Sequence, residues 1–424
     1  MSKSRFRAIE GTRDYFGKDG ERFDKAVVFA GELFVRYGYD RIRTPVFETT
    51  ELFARSIGAA TDIVEKEMYT FTPGSDTITL RPEGTAGVVR GYLQHNMDKR
   101  GDLAKFWYEG PMFRRERPQK GRQRQFHQVG AEAIGSSDPL LDAELVTMGL
   151  RYYECLGLRK ARLRVNSIGC LRPECRPLYR QLLRDAIRPN LDKHCKSCQA
   201  RFDRNVLRII DCKNPECRKL SAGLPKSHDN LCPECAAHFE AVKEGLMALG
   251  GGFALDHTLV RGLDYYTKTV FEYTHEALGA QNAIGGGGRY DGLAEELGGP
   301  AIPGIGFALG VERILIAMEA ENGCSCSYPL QVYGVALGES AHRAMSGMIA
   351  RFRAAGLSAD MDYGRRSFKS QLRSANRRQA MVCVILGEDE LSRGEIVVKD
   401  MSEGGGQKTV SIFDCLDEVK AALP

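Results

Sequence analysis

No run among the 424 residues approaches eighteen consecutive apolar side chains, so a membrane-spanning helix is not expected. The opening "MSKSRFRAIEGTRDYF" lacks the apolar core an export signal needs, and the expected compartment is the cytoplasm. A Walker-type glycine loop ending in Gly-Lys-Ser or Gly-Lys-Thr is missing, and "GGGGRYDGL" does not have the glycine spacing of a dinucleotide fingerprint. Charge imbalance is slight: 60 Lys and Arg against 55 Asp and Glu leave a formal +5, which permits a polyanionic partner without requiring one.

What is present points to a multidomain enzyme. The length favours two or three domains over one. Eight of the 13 cysteines fall between Cys170 and Cys235. In a cytoplasmic chain these read as buried thiols or metal ligands rather than disulfides.

Helical spacing of Phe23, Val27, Ala30 and Phe34 predicts a helix over 21–37, feeding a strand in "YGYDRIRTPVFE" that stops at Pro45. "MYTFTPGSDTITLRPEGTAG" predicts two short strands about a turn and a helix starting near Thr85. "LAKFWYEGPMFRRERPQKGRQRQFHQVGAEAIG" predicts two long strands joined by a basic loop. A helix over 140–156 and a strand "RLRVNSIG" precede the cysteine-rich segment. Strand-rich sequence resumes at Phe253 and ends in "PGIGFALGVERILIAM", a strand running into a helix. After a turn-rich linker at 322–329, strands and helices alternate, the pattern of a small α/β domain.

In the basic hairpin, Arg114 and Glu116 share one strand face, and Phe126 returns on the next strand. An arginine fork suits phosphate, a carboxylate can accept an exocyclic amine, and an aromatic face can stack on a base, so the three could seat ATP. An exposed hairpin laced by salt bridges is the competing reading. Arg313 stands at the start of a helix behind a glycine-rich strand, where it could stack on a base and reach a phosphate, or simply cap the helix.

In chain order, the Pro45 strand behind a long helix, the "FRRE…RQF" hairpin and "GIGFALGVERIL" resemble motifs 1, 2 and 3 of class II aminoacyl-tRNA synthetases. "TLRPEGTAG", "RGLDYY" and "GGGGRYDGL" resemble segments peculiar to the histidyl-tRNA synthetase family, and the likeness runs over nearly the whole chain. The opening "MSKS" is similar to part of a class I signature, but no HIGH-like partner accompanies it, and it is read as chance.

The resemblance implies an α+β fold: an antiparallel class II catalytic sheet flanked by helices over 1–169 and 250–325, a Cys-rich insertion domain over 170–249, and a C-terminal α/β anticodon-binding domain over 329–424. It implies ATP-dependent ligation of L-histidine to its tRNA, with Mg²⁺, in a homodimer. Carried over residue by residue, Tyr266 and Tyr290 would flank the imidazole and Glu132 would accept its N–H. Glu83, Thr85 and Gln128 would hold the α-amino end. Arg261 and Arg114 would stand on either side of the α-phosphate, with Glu116 and Phe126 at the adenine and Arg122 and Arg313 on the outer phosphates. Arg117, Gln119 and Lys120 would meet the acceptor end of tRNA. The chemistry is coherent, because neutral imidazole offers one donor and one acceptor and needs fixed groups of both kinds to read it.

Competing readings stand beside these. Arg261 could form a structural salt bridge with Asp264. Arg366, Lys369, Arg373 and Arg377, recurring at helical spacing, could follow tRNA phosphates or form a solvated helix face. The CxxC pairs Cys195/Cys198 and Cys232/Cys235 could hold one structural Zn²⁺ or remain free thiols, with Cys212/Cys217 and Cys170/Cys175 as looser pairs. Two further alternatives are a histidine-sensing regulatory paralogue of the family, which generally lacks the C-terminal domain, and a zinc-bearing nucleic-acid-binding protein.

Overall fold

The first helix, Gly17–Arg36, carries a stripe of Ala26, Ala30, Leu33 and Phe34 that is buried. It ends where Gly38 takes a left-handed φ of 80°, a conformation that stops a helix at low steric cost. The structure is a computed structural model describing residues 6–58, 61, 63–279, 281–321 and 330–423. The expected linker at 322–329 and the opening "MSKS" lie outside the described residues. The chain divides into two compact units, Met1–Cys326 and Ser327–Pro424.

The first unit is built on an eight-stranded sheet. Its strands run in the order Asp40–Arg41, Ala104–Phe113, Gln125–Ile134, Gly304–Gly310, Ala283–Arg289, Thr267–Thr274, Arg162–Ser167 and Phe253–Leu255. The six inner strands pair antiparallel, and only the two short outermost strands pair parallel with their neighbours. Alternation along the strands separates two faces. Val129, Ala131, Phe307, Leu309, Phe271 and Tyr273 pack in one core with the helices Gly17–Arg36, Pro139–Cys155, Pro233–Ala248 and Val311–Ala320. The opposite face carries Gln128, Gly130 and Glu132, followed across the sheet by Gly306, Gly288 and Glu272. It is this second face that bears the polar groups.

One expected strand is two. Asp40–Arg41 pairs with Phe106 and Trp107, whereas Phe47–Thr49 joins a separate three-stranded sheet with Ile78–Leu80 and Tyr69–Phe71. Pro45, which has no N–H to give a ladder, stands between them. Buried Arg81 holds the break by donating to the carbonyls of Thr44 and Pro111, at 3.0 and 2.9 Å. A second buried arginine, Arg289, follows the run of four glycines. It ties the sheet to the helix Pro139–Cys155 by a two-pronged pairing with Asp142 at 2.6 and 3.0 Å, both side chains having no exposed surface.

The hairpin Ala104–Phe113 and Gln125–Ile134 forms, but its first strand ends at Phe113, so Arg114 and Glu116, expected together on one strand face, stand in the connecting loop, whose tip is a tight turn in which Gln119 and Arg122 exchange backbone hydrogen bonds. In segment 170–249, Tyr179, Leu183, Phe202, Val206 and Ile209 make a small core of their own. The last helix of the segment, Pro233–Ala248, instead places Phe239, Val242 and Leu246 in the main core.

The second unit has a five-stranded mixed sheet in the order Ala359–Met361, Val332–Leu337, Val382–Gly387, Glu395–Asp400 and Gln407–Ser411. The first three strands are parallel, as the alternating strand and helix pattern predicts, and the last two add antiparallel.

Candidate active site and cysteine centres

Glu132 lies on the open face of the central sheet with no exposed surface. Three hydroxyls donate to its carboxylate: Thr85 at 2.7 Å, Tyr290 at 2.7 Å and Tyr108 at 3.3 Å. Burial pushes the Glu132 carboxyl up to about 8, while the hydroxyls pull the other way. Glycines make room for this group. A Cβ at Gly306 would run into the Glu132 carboxylate, one at Gly304 into the Tyr290 ring, and one at Gly288 would stand 2.9 Å from Tyr266. The glycine-rich strands thus form a floor on which polar and aromatic side chains lie flat.

Tyr265 and Tyr266 close one side of the floor, with ring centroids 4.7 Å apart, and Tyr265 meets Tyr290 edge-on at 5.9 Å. Gln128 is on the same strand face, and its Oε1 is buried without a hydrogen-bond partner. Glu83 takes the backbone N–H groups of Thr85 and Ala86 at 2.7 and 2.9 Å, capping the helix Thr85–Gln94, and burial raises its pKa. All six expected histidine-pocket residues belong to this one constellation or the helix end beside it. Tyr108 and Tyr265 join them.

Arg261 pairs with Glu272 at 2.9 Å, while its Nε is buried without a partner. Asp264 takes its hydrogen bond from Asn205, so the ion pair weighed as a structural alternative is made with Glu272 instead. A Cβ at Gly286 would stand 3.0 Å from the Arg261 guanidinium, which puts this cation on the same floor as Glu132. Arg114 is anchored through Nε to the Pro82 carbonyl at 2.9 Å, and its guanidinium lies 5.2 Å above the Phe126 ring. Arg122 pairs with Glu116 at 2.9 Å. Arg313 donates to the carbonyls of Gly121, Gln281 and Ala283. Sequence reasoning missed Glu272, which sits two-periodically in "TKTVFEYT" and faces the pocket side.

At the hairpin tip Arg117, Gln119 and Lys120 are exposed. In the second unit Lys369, Arg373 and Arg377 line the exposed side of the helix Phe368–Arg377. Arg366 precedes that helix and is held by Asp362 at 2.7 Å and Ser374 at 3.1 Å.

The expected metal set is corrected. Cys195 and Cys198 do not share a site with Cys232 and Cys235: each CxxC pair closes with one of the looser pairs. Cys195, Cys198, Cys212 and Cys217 form one quartet, and Cys170, Cys175, Cys232 and Cys235 another, with the ligand atoms of each quartet within 4.8 Å of one another. The reason is topological. Cys170 and Cys175 lie just past the strand Arg162–Ser167, where the segment leaves the sheet, and Cys232 and Cys235 open the helix by which it returns.

The sequence profile of the histidyl-tRNA synthetase family matches residues 11–314. A histidine–tRNA ligase of Desulforamulus reducens is 47% identical over 416 residues, covering 97% of this chain and 98% of the relative. The chain belongs to the histidyl-tRNA synthetase family. A histidine–tRNA ligase of Moorella thermoacetica is 49% identical over 415 residues, covering 96% of each chain. The crystal structure of apo Staphylococcus aureus histidyl-tRNA synthetase superposes with a TM-score of 0.81 at 36% identity, covering 98% of this chain and 100% of that one. The anticodon binding domain profile matches residues 331–422, the part that the sensor reading expects to be missing. The eight-stranded sheet, antiparallel over its six inner strands, is therefore that of a class II synthetase.

Proposed function

We infer that the glycine floor with Glu132 at its centre is the L-histidine pocket, and that Arg114 and Arg261 act on the α-phosphate of ATP beside it. The chain is a histidine–tRNA ligase: it joins L-histidine to its tRNA through a histidyl-adenylate, releasing pyrophosphate and then AMP. The observation that carries the site assignment is the buried Glu132 carboxylate, set among hydroxyls on a floor that admits no further side chain. Ionised, it has acceptor capacity left for an imidazole N–H, which an apolar amino acid of similar size cannot supply, and a site built to hydrogen-bond its substrate rejects such analogues by about 10⁴ to 10⁵. Gln128, with an unsatisfied buried acceptor, suits the α-ammonium group.

ATP enters as its Mg²⁺ complex. A carboxylate oxygen of histidine attacks the α-phosphorus in line, and the bond to the pyrophosphate oxygen breaks. Negative charge grows on the α-phosphate oxygens, and fixed guanidinium groups aimed there lower the barrier. Arg261 is held by Glu272, and Arg114 by the Pro82 carbonyl. On binding the outer phosphates, Arg313 would exchange carbonyl acceptors for anionic ones, a stronger charge-assisted pairing, and Arg122 would turn from Glu116. The terminal adenosine hydroxyl of the tRNA then attacks the adenylate carbonyl, the ester forms and AMP leaves. No side-chain nucleophile is needed.

The same proposal takes 1–169 with 250–325 as the catalytic domain, 170–249 as an insertion domain stiffened by structural zinc and 329–424 as the anticodon-binding domain. It places Arg117, Gln119 and Lys120 at the acceptor end, and Lys369, Arg373 and Arg377, with Arg366, along the tRNA backbone, in a cytoplasmic homodimer. Among the described residues no helix is long and apolar enough to cross a membrane.

Arg261→Ala tests the assignment. Histidine-dependent ATP–pyrophosphate exchange should fall by roughly 10² to 10³ in kcat while calorimetry still shows histidine binding. Unchanged exchange on folded protein would remove Arg261 from the chemistry.

A further inference from the structure

We propose that this chain carries two zinc ions, each on four cysteine thiolates, and that the ion at the root of segment 170–249 braces the histidine pocket from behind. The bracing part rests on the pocket assignment above; the two sites do not.

Zinc binds thiolate sulfur at about 2.3 Å, so the sulfurs at the corners of a tetrahedron stand about 3.8 Å apart. The Cys170 and Cys232 sulfurs are 3.8 Å apart and those of Cys195 and Cys212 are 3.9 Å apart. These separations are nearly twice the roughly 2.05 Å of a disulfide. They also leave no room inside either quartet for a multi-iron cluster, which spreads its ligands further. Backbone N–H groups already face the sulfurs, those of Cys170 and Cys232 toward Cys175 at 3.4 and 3.5 Å, and that of Cys195 toward Cys217 at 3.2 Å. Donors so placed favour anionic sulfur and hold a ligand's orientation. The segment's own core is small, and a metal bound there would add its binding free energy to the folding of the segment.

The two sites differ in what they hold. The Cys195 quartet ties short helices of the segment to one another. The Cys170 quartet ties the segment's exit to its return, and it touches the pocket through one side chain. A Cβ on Gly169 would stand 2.6 Å from the Cys175 sulfur, so the backbone there is pressed against the site. Arg176, next to Cys175 and only 3% exposed, donates to the carbonyls of Ile168 at 3.1 Å, Gly169 at 2.9 Å and Tyr266 at 2.5 Å. Lys268, two residues past Tyr266, exchanges backbone hydrogen bonds with Gly169 and Ile168 at 2.9 Å. Arg176 is thus a positioning residue, linking the metal knot to the backbone that aims Tyr266.

The test uses full-length protein purified without chelator. Elemental analysis should find two zinc per chain, falling to one in Cys175→Ser and to one in Cys198→Ser, and X-ray absorption should show four sulfur neighbours per ion. Histidine KM in pyrophosphate exchange should rise roughly tenfold in Cys175→Ser, with the KM for ATP unchanged, and stay within about twofold in Cys198→Ser. If either serine variant fails to fold, mercurial titration of the wild type should release two zinc in two phases. Fewer than two zinc in the wild type, or iron with visible colour, would overturn the two sites. Equal histidine KM values in the two variants would overturn the bracing. Metal content and sulfur coordination are read without substrate, so their failure is distinct from failure of the histidine assignment.

Discussion

Glu132 combines complete burial with the proposed task of accepting an N–H, which its anionic form does most strongly. The three hydroxyls around it offset part of the desolvation, but the carboxyl still sits at about 8 rather than its ordinary 4.5. The sign of the consequence follows from linkage. A folded-state pKa above the unfolded one means the folded chain binds this proton more tightly, so the stabilisation is full below about 4.5 and is lost as pH rises through about 8. Glu132→Gln removes that dependence. Between pH 5 and 8, the melting temperature of the wild type should fall relative to that of Glu132→Gln, with a slope of up to about 1.4 kcal/mol per pH unit in the underlying free energy. At the same time the variant should lose most of its affinity for histidine. Parallel melting curves across that range, measured by calorimetry without ligands, would show that Glu132 is not perturbed. Glu83, Thr85, Gln128, Glu132, Tyr266 and Tyr290 could be named from sequence only through the family resemblance of the segments that hold them. Tyr108 could not, because in "KFWYEG" nothing distinguishes a tyrosine that turns its hydroxyl to a carboxylate from one that packs in a core.

Among elements, the strand Gly304–Gly310 shows why glycines can belong inside a sheet despite their entropic cost. Its Gly306 opposes Glu132 across the ladder, and any Cβ there occupies the carboxylate's place. Gly306→Ala should therefore raise the histidine KM by tenfold or more in pyrophosphate exchange while leaving the far-ultraviolet circular dichroism unchanged; a variant with wild-type KM would mean that Glu132 does not read the substrate. The glycine strands and the basic hairpin could be found from pattern alone. The split at Pro45 could not, since the two pieces choose their partners through tertiary pairing. Nor could the cysteine partnering: spacing identifies two CxxC pairs, but which looser pair each meets depends on how the helices between them fold back. Arg366 illustrates a smaller limit, being in phase with Lys369 and Arg373 by number yet outside their helix.

At the scale of the whole molecule, the chain falls into two compact units. The larger unit carries the polar floor, and the smaller one carries a mixed sheet of the anticodon-binding type with an exposed basic helix. That division was readable from the switch between strand-rich and alternating sequence. Its function was readable because class II motifs and histidine-specific segments occur together in order along one chain. On the proposed assignment, activation of the amino acid uses only the first unit's floor and its arginines, so it should be observable without tRNA. The most direct measurement is ATP–pyrophosphate exchange run separately with each standard amino acid and no tRNA. Exchange with histidine alone is the predicted result. Exchange that is absent with histidine on folded protein, or equal with another amino acid, would contradict the assignment of the Glu132 floor as the histidine pocket.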